Sequence, residues 1–105
     1  MKEITVQELK AMMDNSEDFQ LIDVREAHEV EIASIDGEHI PLSEIINRRD
    51  EVSKDKKVVI HCRSGARSGN AVQALEGNFG FSNLYNLKGG ILAWADEIDP
   101  DMATY

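Results

Sequence analysis

The feature that most restricts what this chain can fold into is a strand, a glycine-bearing loop and a helix written without interruption in VVIHCRSGARSGNAVQALEG, Val58 to Gly77. Val58 to Ile60 are apolar and β-branched, as a buried strand requires, and the Ser68 to Glu76 segment places Ala71, Val72, Ala74 and Leu75 on one helical face. Such a junction leaves backbone N–H groups at the helix start without intrahelical partners. These groups converge on a concavity suited to an anion. Cys62, the only cysteine among 105 residues, stands at the mouth of that concavity, flanked by Arg63 and Arg67. No acidic residue occurs between His61 and Gln73, although the chain carries 20 Asp plus Glu. The helix end and the guanidinium groups are expected to draw the thiol pKa below its reference of roughly 8.5 and favour the thiolate.

Around this unit the chain alternates strands and helices. Ile4 opens a short strand, and TVQE starts a helix with Thr5 as cap and Glu8 closing a capping box. FQLIDV, Phe19 to Val24, reads as a second buried strand, followed by a turn and a brief helix in DVREAHEVE. Asp36-Gly37 marks a turn, and His39-Ile40-Pro41 a short strand stopped by proline. Ser43 begins a helix that the SKDKK segment closes. Gly77 and Gly80 mark the end of the central helix, Leu84 to Leu87 a last strand, Gly89-Gly90 a turn, and ILAWADEI a final helix. The tail DPDMATY should run over the surface. Strands joined by helical crossovers mean an α/β fold with a mainly parallel sheet and helices on both faces, here in one domain covering 1–105. Ligand sites in such sheets lie beyond the carboxyl ends of the strands, where Cys62, Asp23 and Arg25 all map.

Composition limits the partners. A net charge of −9 argues against nucleic acid and against an anionic membrane surface, since both would repel the body of the molecule. No run approaches the ~18 apolar residues of a membrane span, and MKEITVQELK lacks the apolar core of a signal peptide, so a cytoplasmic location is expected. A lone cysteine makes no internal disulfide, and no Cys/His cluster suggests a metal.

The segments LIDVRE at 21–26, IPLSEII at 40–46, the cysteine loop at 62–67 and LKGGILAW at 87–94 stand in the order of the rhodanese family of sulfurtransferases, which the chain resembles over nearly its whole length. GGILAWADEIDPDMATY is further similar to the rhodanese domain of ubiquitin-activating-like enzymes that sulfurate small carrier proteins. EIASIDGEHIPL departs from the Gly-His-Ile more usual in the family, and no catalytic role is carried onto it. The resemblance implies a five-stranded rhodanese-like α/β domain, and no cofactor is expected. It implies that Cys62 accepts a sulfane sulfur as a persulfide cradled by the loop Arg63, Ser64, Gly65, Ala66, Arg67 and Ser68. The arginines would bind a small anionic donor such as thiosulfate, Asp23 and Arg25 would buttress the site, and an external thiol or sulfur-acceptor protein would take the sulfur.

The duller reading of Cys62 is an inert buried thiol, and the glycine turn, the arginines and the strand-end position weigh against it. His61 could be cast as a base, but strand alternation points it away from Cys62 and favours a packing or hydrogen-bonding role. Arg67 can also pair with Asp23 or Glu26. Trp94, Met12 and Met13 read as core, and His28 and His39 as solvated. A cysteine-dependent phosphatase or arsenate reductase uses His-Cys, five residues, then Arg, whereas four residues separate Cys62 from Arg67 here, a cup better sized for a sulfur than for a phosphoryl group. A non-catalytic binding module of the same fold is the third reading, and retention of the cysteine with both arginines counts against it.

Overall fold

The computed structural model describes residues 1–105. In chain order it comprises β1 (Glu3–Ile4), α1 (Val6–Asp14), β2 (Gln20–Asp23), α2 (Ala27–Ile32), β3 (Glu38–His39), α3 (Leu42–Ile45), a 3-10 turn (Arg49–Glu51), β4 (Val58–His61), α4 (Ala66–Phe79), β5 (Leu84–Leu87) and α5 (Gly90–Glu97). The five strands form one sheet in the order β1-β5-β4-β2-β3, with every pairing parallel. That order follows from the crossovers, since parallel neighbours cannot be joined by a tight hairpin. No helix is long and apolar enough to cross a membrane.

Both faces of the sheet are covered, which is why β4 is apolar from Val58 to Ile60 rather than alternating. Val58 and Ile60 pack with Val72, Leu75 and Leu84 on the α3/α4 face, and Val59 packs with Leu9, Leu87 and Trp94 on the α1/α5 face. Each such side chain, once sealed from water, contributes on the order of 1.5–3 kcal/mol. The period of two continues past the strand: Cys62 belongs to the layer of Val58 and Ile60, so His61 points to the opposite side.

The start of α1 forms as its sequence requires. The Thr5 hydroxyl accepts from the Glu8 N–H at 3.1 Å, and the Glu8 carboxylate accepts from the Thr5 N–H at 3.1 Å. Elsewhere the boundaries move. The central helix begins at Ala66 rather than Ser68, directly after the loop glycine, and it runs through Gly77 to end at Gly80, which adopts φ +72° as the left-handed cap. Gly77 is tolerated inside because it faces open space. The helix expected from Ser43 to the SKDKK segment is instead one turn of α3 and a separate 3-10 turn. The tail does not simply cover the surface, because Tyr105 returns to the carboxyl end of the sheet.

At that end Asp23, Arg25 and His61 lie within the protein. Asp23 and Arg25 are 1% and 0% exposed, and the Arg25 Nη2 donates to Asp23 Oδ2 at 2.7 Å. Arg25 uses its remaining donors on the Glu29 and Ala33 carbonyls and the Tyr105 hydroxyl. Removing either partner of such a buried pair would strand a charge, at a cost of about 3–5 kcal/mol. His61 is fully buried beside them, its Nε2 3.6 Å from Asp23 Oδ2 and without a hydrogen-bond partner.

Burial holds the His61 pKa below its ordinary value, outweighing the pull of Asp23. The unfolded chain therefore takes up a proton near pH 6.5 that the folded chain refuses. Stability from neutral His61 is complete above that pH and declines as pH falls below it. The urea midpoint should drop between pH 6.5 and pH 5, above the range in which carboxylates protonate, and His61→Gln should flatten the dependence; equal midpoints at the two pH values would count against a neutral buried imidazole.

Candidate active site

The loop between β4 and α4 can close around a sulfur because of two glycine turns. Gly65 holds φ +107° at the cap of α4, a conformation that costs a side chain heavily. Its N–H is thereby aimed back at Cys62 Sγ, at 3.1 Å. The Ser68 hydroxyl reaches the same sulfur at 3.3 Å. Ser68 sits in the first turn of α4, where backbone N–H groups have no intrahelical acceptor. The second device is Gly89-Gly90. A Cβ on Gly90 would stand 2.4 Å from the Arg63 carbonyl oxygen and 2.7 Å from that of Cys62, so only glycine lets the start of α5 approach this closely. The Ile91 and Leu92 N–H groups then donate to the Cys62 and Arg63 carbonyls at 3.0 and 3.1 Å. These bonds occupy the loop's carbonyls with α5, while loop N–H groups turn toward the sulfur.

Burial alone would raise the thiol pKa, but the net shift is downward. The Ser68 hydroxyl and the backbone N–H groups of Ser68, Gly65 and Ser64 outweigh the burial. The thiolate is therefore stabilised mainly by dipoles of the loop. Cys62 is only 1% exposed, as an inert thiol would be, yet its sulfur faces converging donors rather than hydrocarbon alone.

The flanking arginines are engaged by groups that sequence proximity did not reveal. Arg67 is held bidentately by Glu29, at 2.7 and 2.8 Å, so its partner is neither Asp23 nor Glu26. The Arg67 guanidinium, more than burial opposes, holds the Glu29 carboxyl down to about 2. Arg63 donates from Nε and Nη2 to the main-chain oxygen of Tyr105, the former at 2.7 Å, and lies 5.1 Å from the Tyr105 ring. The Tyr105 hydroxyl accepts from Arg25 Nη1 at 2.9 Å and donates to Glu29 Oε1 at 3.0 Å. Asp23, Arg25, Glu29, Arg67, Tyr105 and Arg63 thus form one continuous polar network beside the cysteine loop. Ser64 and Ala66 are exposed.

Glu29, Tyr105 and Asn86 belong to the site and are not marked by any local motif. Asn86, on β5, contacts both Ser68 and Gly65. His39, expected in solvent, is half-buried, and its Nε2 donates to the Arg25 carbonyl at 2.6 Å. His28 is exposed.

The rhodanese-like domain family matches residues 5–97. The chain is 40% identical to a sulfurtransferase of Allochromatium vinosum, an alignment covering 90% of this chain and 89% of that protein. It is 38% identical to the probable adenylyltransferase/sulfurtransferase MoeZ of Mycobacterium tuberculosis, over 97% of this chain; the chain spans about a quarter of that relative, 26% of its length. Among solved structures, a rhodanese-like domain protein of Staphylococcus aureus superposes with a TM-score of 0.82 at 33% identity, over 93% of this chain and 95% of that one. A lone cysteine enclosed by a strand-to-helix loop, on a parallel sheet with relatives that are named sulfurtransferases, identifies this chain as a member of the rhodanese-like domain family.

Proposed function

We propose that this domain is a sulfurtransferase that carries a sulfane sulfur as a persulfide on Cys62, taking it from thiosulfate or a persulfide donor and passing it to an outside nucleophile. The observation that carries the reading is the convergence of the Gly65 N–H and the Ser68 hydroxyl on Cys62 Sγ, at 3.1 and 3.3 Å. The reaction is covalent catalysis divided into two displacements. The Cys62 thiolate attacks the outer sulfur of the donor, the new S–S bond forms, and the S–S bond of thiosulfate breaks with its electron pair leaving on sulfite. The terminal sulfur of the persulfide then carries the negative charge, and the same fixed dipoles that favour the thiolate favour it. An acceptor thiolate attacks that terminal sulfur, and Cys62 leaves as a thiolate again. No other cysteine lies in these residues, so the acceptor is external to them. A free reactive thiol of this kind fits a reducing compartment such as the cytoplasm.

Arg63 meets the anionic end of the donor, exchanging the Tyr105 main-chain oxygen for an oxygen of the ligand. Arg67 keeps its carboxylate partner and contributes chiefly the position of the helix start, while Asp23 and Arg25 hold the β2 end beneath the loop. Ser64, Gly65, Ala66 and Ser68 contribute the wall of the cup. The phosphatase reading is disfavoured by the four-residue spacing from Cys62 to Arg67 and by Glu29, which takes two of the five Arg67 donors.

Intact-mass measurement after thiosulfate treatment should show the gain of one sulfur atom by the wild-type chain and none by Cys62→Ala; an unmodified wild type, or phosphate release from an aryl phosphate without sulfur loading, would overturn the proposal. Arg63→Ala should raise KM for thiosulfate about tenfold, the size expected for loss of a charge-assisted hydrogen bond, and leave the lifetime of a preformed persulfide unaltered. An unchanged KM would remove Arg63 from donor binding.

A further inference from the structure

Asn86, on β5, is 3% exposed; its backbone N–H donates to the Lys2 carbonyl just before β1 at 2.9 Å, and its side chain reaches into the cysteine loop. Its Nδ2 donates to the Gly65 carbonyl at 3.1 Å, and its Oδ1 stands 2.5 Å from the Ser68 hydroxyl oxygen. Rotating the amide by half a turn would set Oδ1 against the Gly65 carbonyl, two acceptors facing each other, so the orientation is fixed by chemistry. Ser68 itself is 0% exposed and has one proton to give. Two acceptors compete for it, Asn86 Oδ1 at 2.5 Å and Cys62 Sγ at 3.3 Å.

We propose that Asn86 is a positioning residue of the sulfur-carrying site, its amide oxygen holding the Ser68 hydroxyl proton while Cys62 is a neutral thiol and yielding it when the sulfur becomes anionic. In the neutral state a chain runs from the thiol S–H to Ser68 Oγ and from the Ser68 O–H to Asn86 Oδ1. On ionisation the thiol proton leaves to solvent, and the Ser68 hydroxyl turns its own proton from Oδ1 to Sγ without losing it. A bond to a charged acceptor is roughly twice as strong as one to a neutral amide, so the turn is downhill once charge is present. The competition makes thiolate stabilisation by Ser68 a difference between two bonds, and the acceptor strength at position 86 sets that difference. Through Nδ2 the same side chain holds the Gly65 carbonyl, whose N–H is the second donor to the sulfur.

This inference rests on the sulfur-relay reading for its purpose but not for its test, because alkylation of Cys62 needs no sulfur donor and sulfur loading is measured separately by mass. The experiment is a pH-dependent iodoacetamide alkylation of the full chain in which Ser68→Ala is introduced into three backgrounds, wild type, Asn86→Ala and Asn86→Asp. Ser68→Ala should slow alkylation at neutral pH by about threefold in wild type, by about tenfold in Asn86→Ala, where the hydroxyl has no rival acceptor, and hardly at all in Asn86→Asp, where a carboxylate retains the proton. The alkylation pH profile should move toward higher pH in parallel. A loosened loop would change the absolute rates in each background but leave the Ser68→Ala ratio constant. One common ratio in all backgrounds therefore overturns the proposal, and should Asn86→Asp not fold, the Asn86→Ala comparison alone decides it.

Discussion

A buried thiolate is tolerable only if dipoles are already in place when the charge forms, because water cannot reorganise around it. Here those dipoles are backbone N–H groups at the start of α4 and one serine hydroxyl, and their aim depends on where the loop's carbonyls go. Each carbonyl directed at the sulfur would cancel part of what an N–H contributes. The Cys62 and Arg63 carbonyls are drawn off by Ile91 and Leu92 of α5, which can approach only because positions 89 and 90 are glycine. The cup is thus made by two helix starts, one presenting donors to the sulfur and the other removing acceptors from it.

The electrostatics of the surroundings follow a related economy. This is an acidic chain, with a net charge of −9, and it places a carboxylate, Glu29, close to a site that favours an anion. The arrangement holds because Glu29 is bound by Arg67 and by the Tyr105 hydroxyl, so its charge is neutralised locally. Asp23 is likewise closed against Arg25, whose guanidinium keeps its carboxyl below the usual range although burial opposes this. Acids near the sulfur are paired, and the stabilisation of the thiolate comes mainly from groups without net charge. Such a design depends little on salt, since fixed dipoles inside a protein are screened far less than exposed charges.

Local patterns carried much of this into the sequence. The apolar β-branched run at Val58 to Ile60, the capping box at Thr5 and Glu8, and the glycine pair at 89 and 90 act over a few residues, and each is found where the pattern places it. Helix ends were less legible. Gly77 looks like a stop, but an exposed glycine inside a long helix costs only about 1 kcal/mol against alanine, which the buried face formed by Ala71, Val72 and Leu75 exceeds. The partners of the cup were not legible at all. Glu29, Asn86 and Tyr105 lie 33, 24 and 43 residues from Cys62 in the chain, and only the crossovers of the sheet bring them to one edge. The acid-free stretch around the cysteine suggested free arginines for the same reason: charge along the chain is not charge in space.

The folded loop makes the Cys62 thiolate more favourable than the unfolded chain does. Ultraviolet absorbance of the thiolate, titrated in the native protein and again in urea with Cys62→Ala subtracted as the blank, measures this directly. The native midpoint should lie below the unfolded one. A native midpoint equal to or above it would mean that burial dominates the loop dipoles, and the sulfur would then be an inert core thiol.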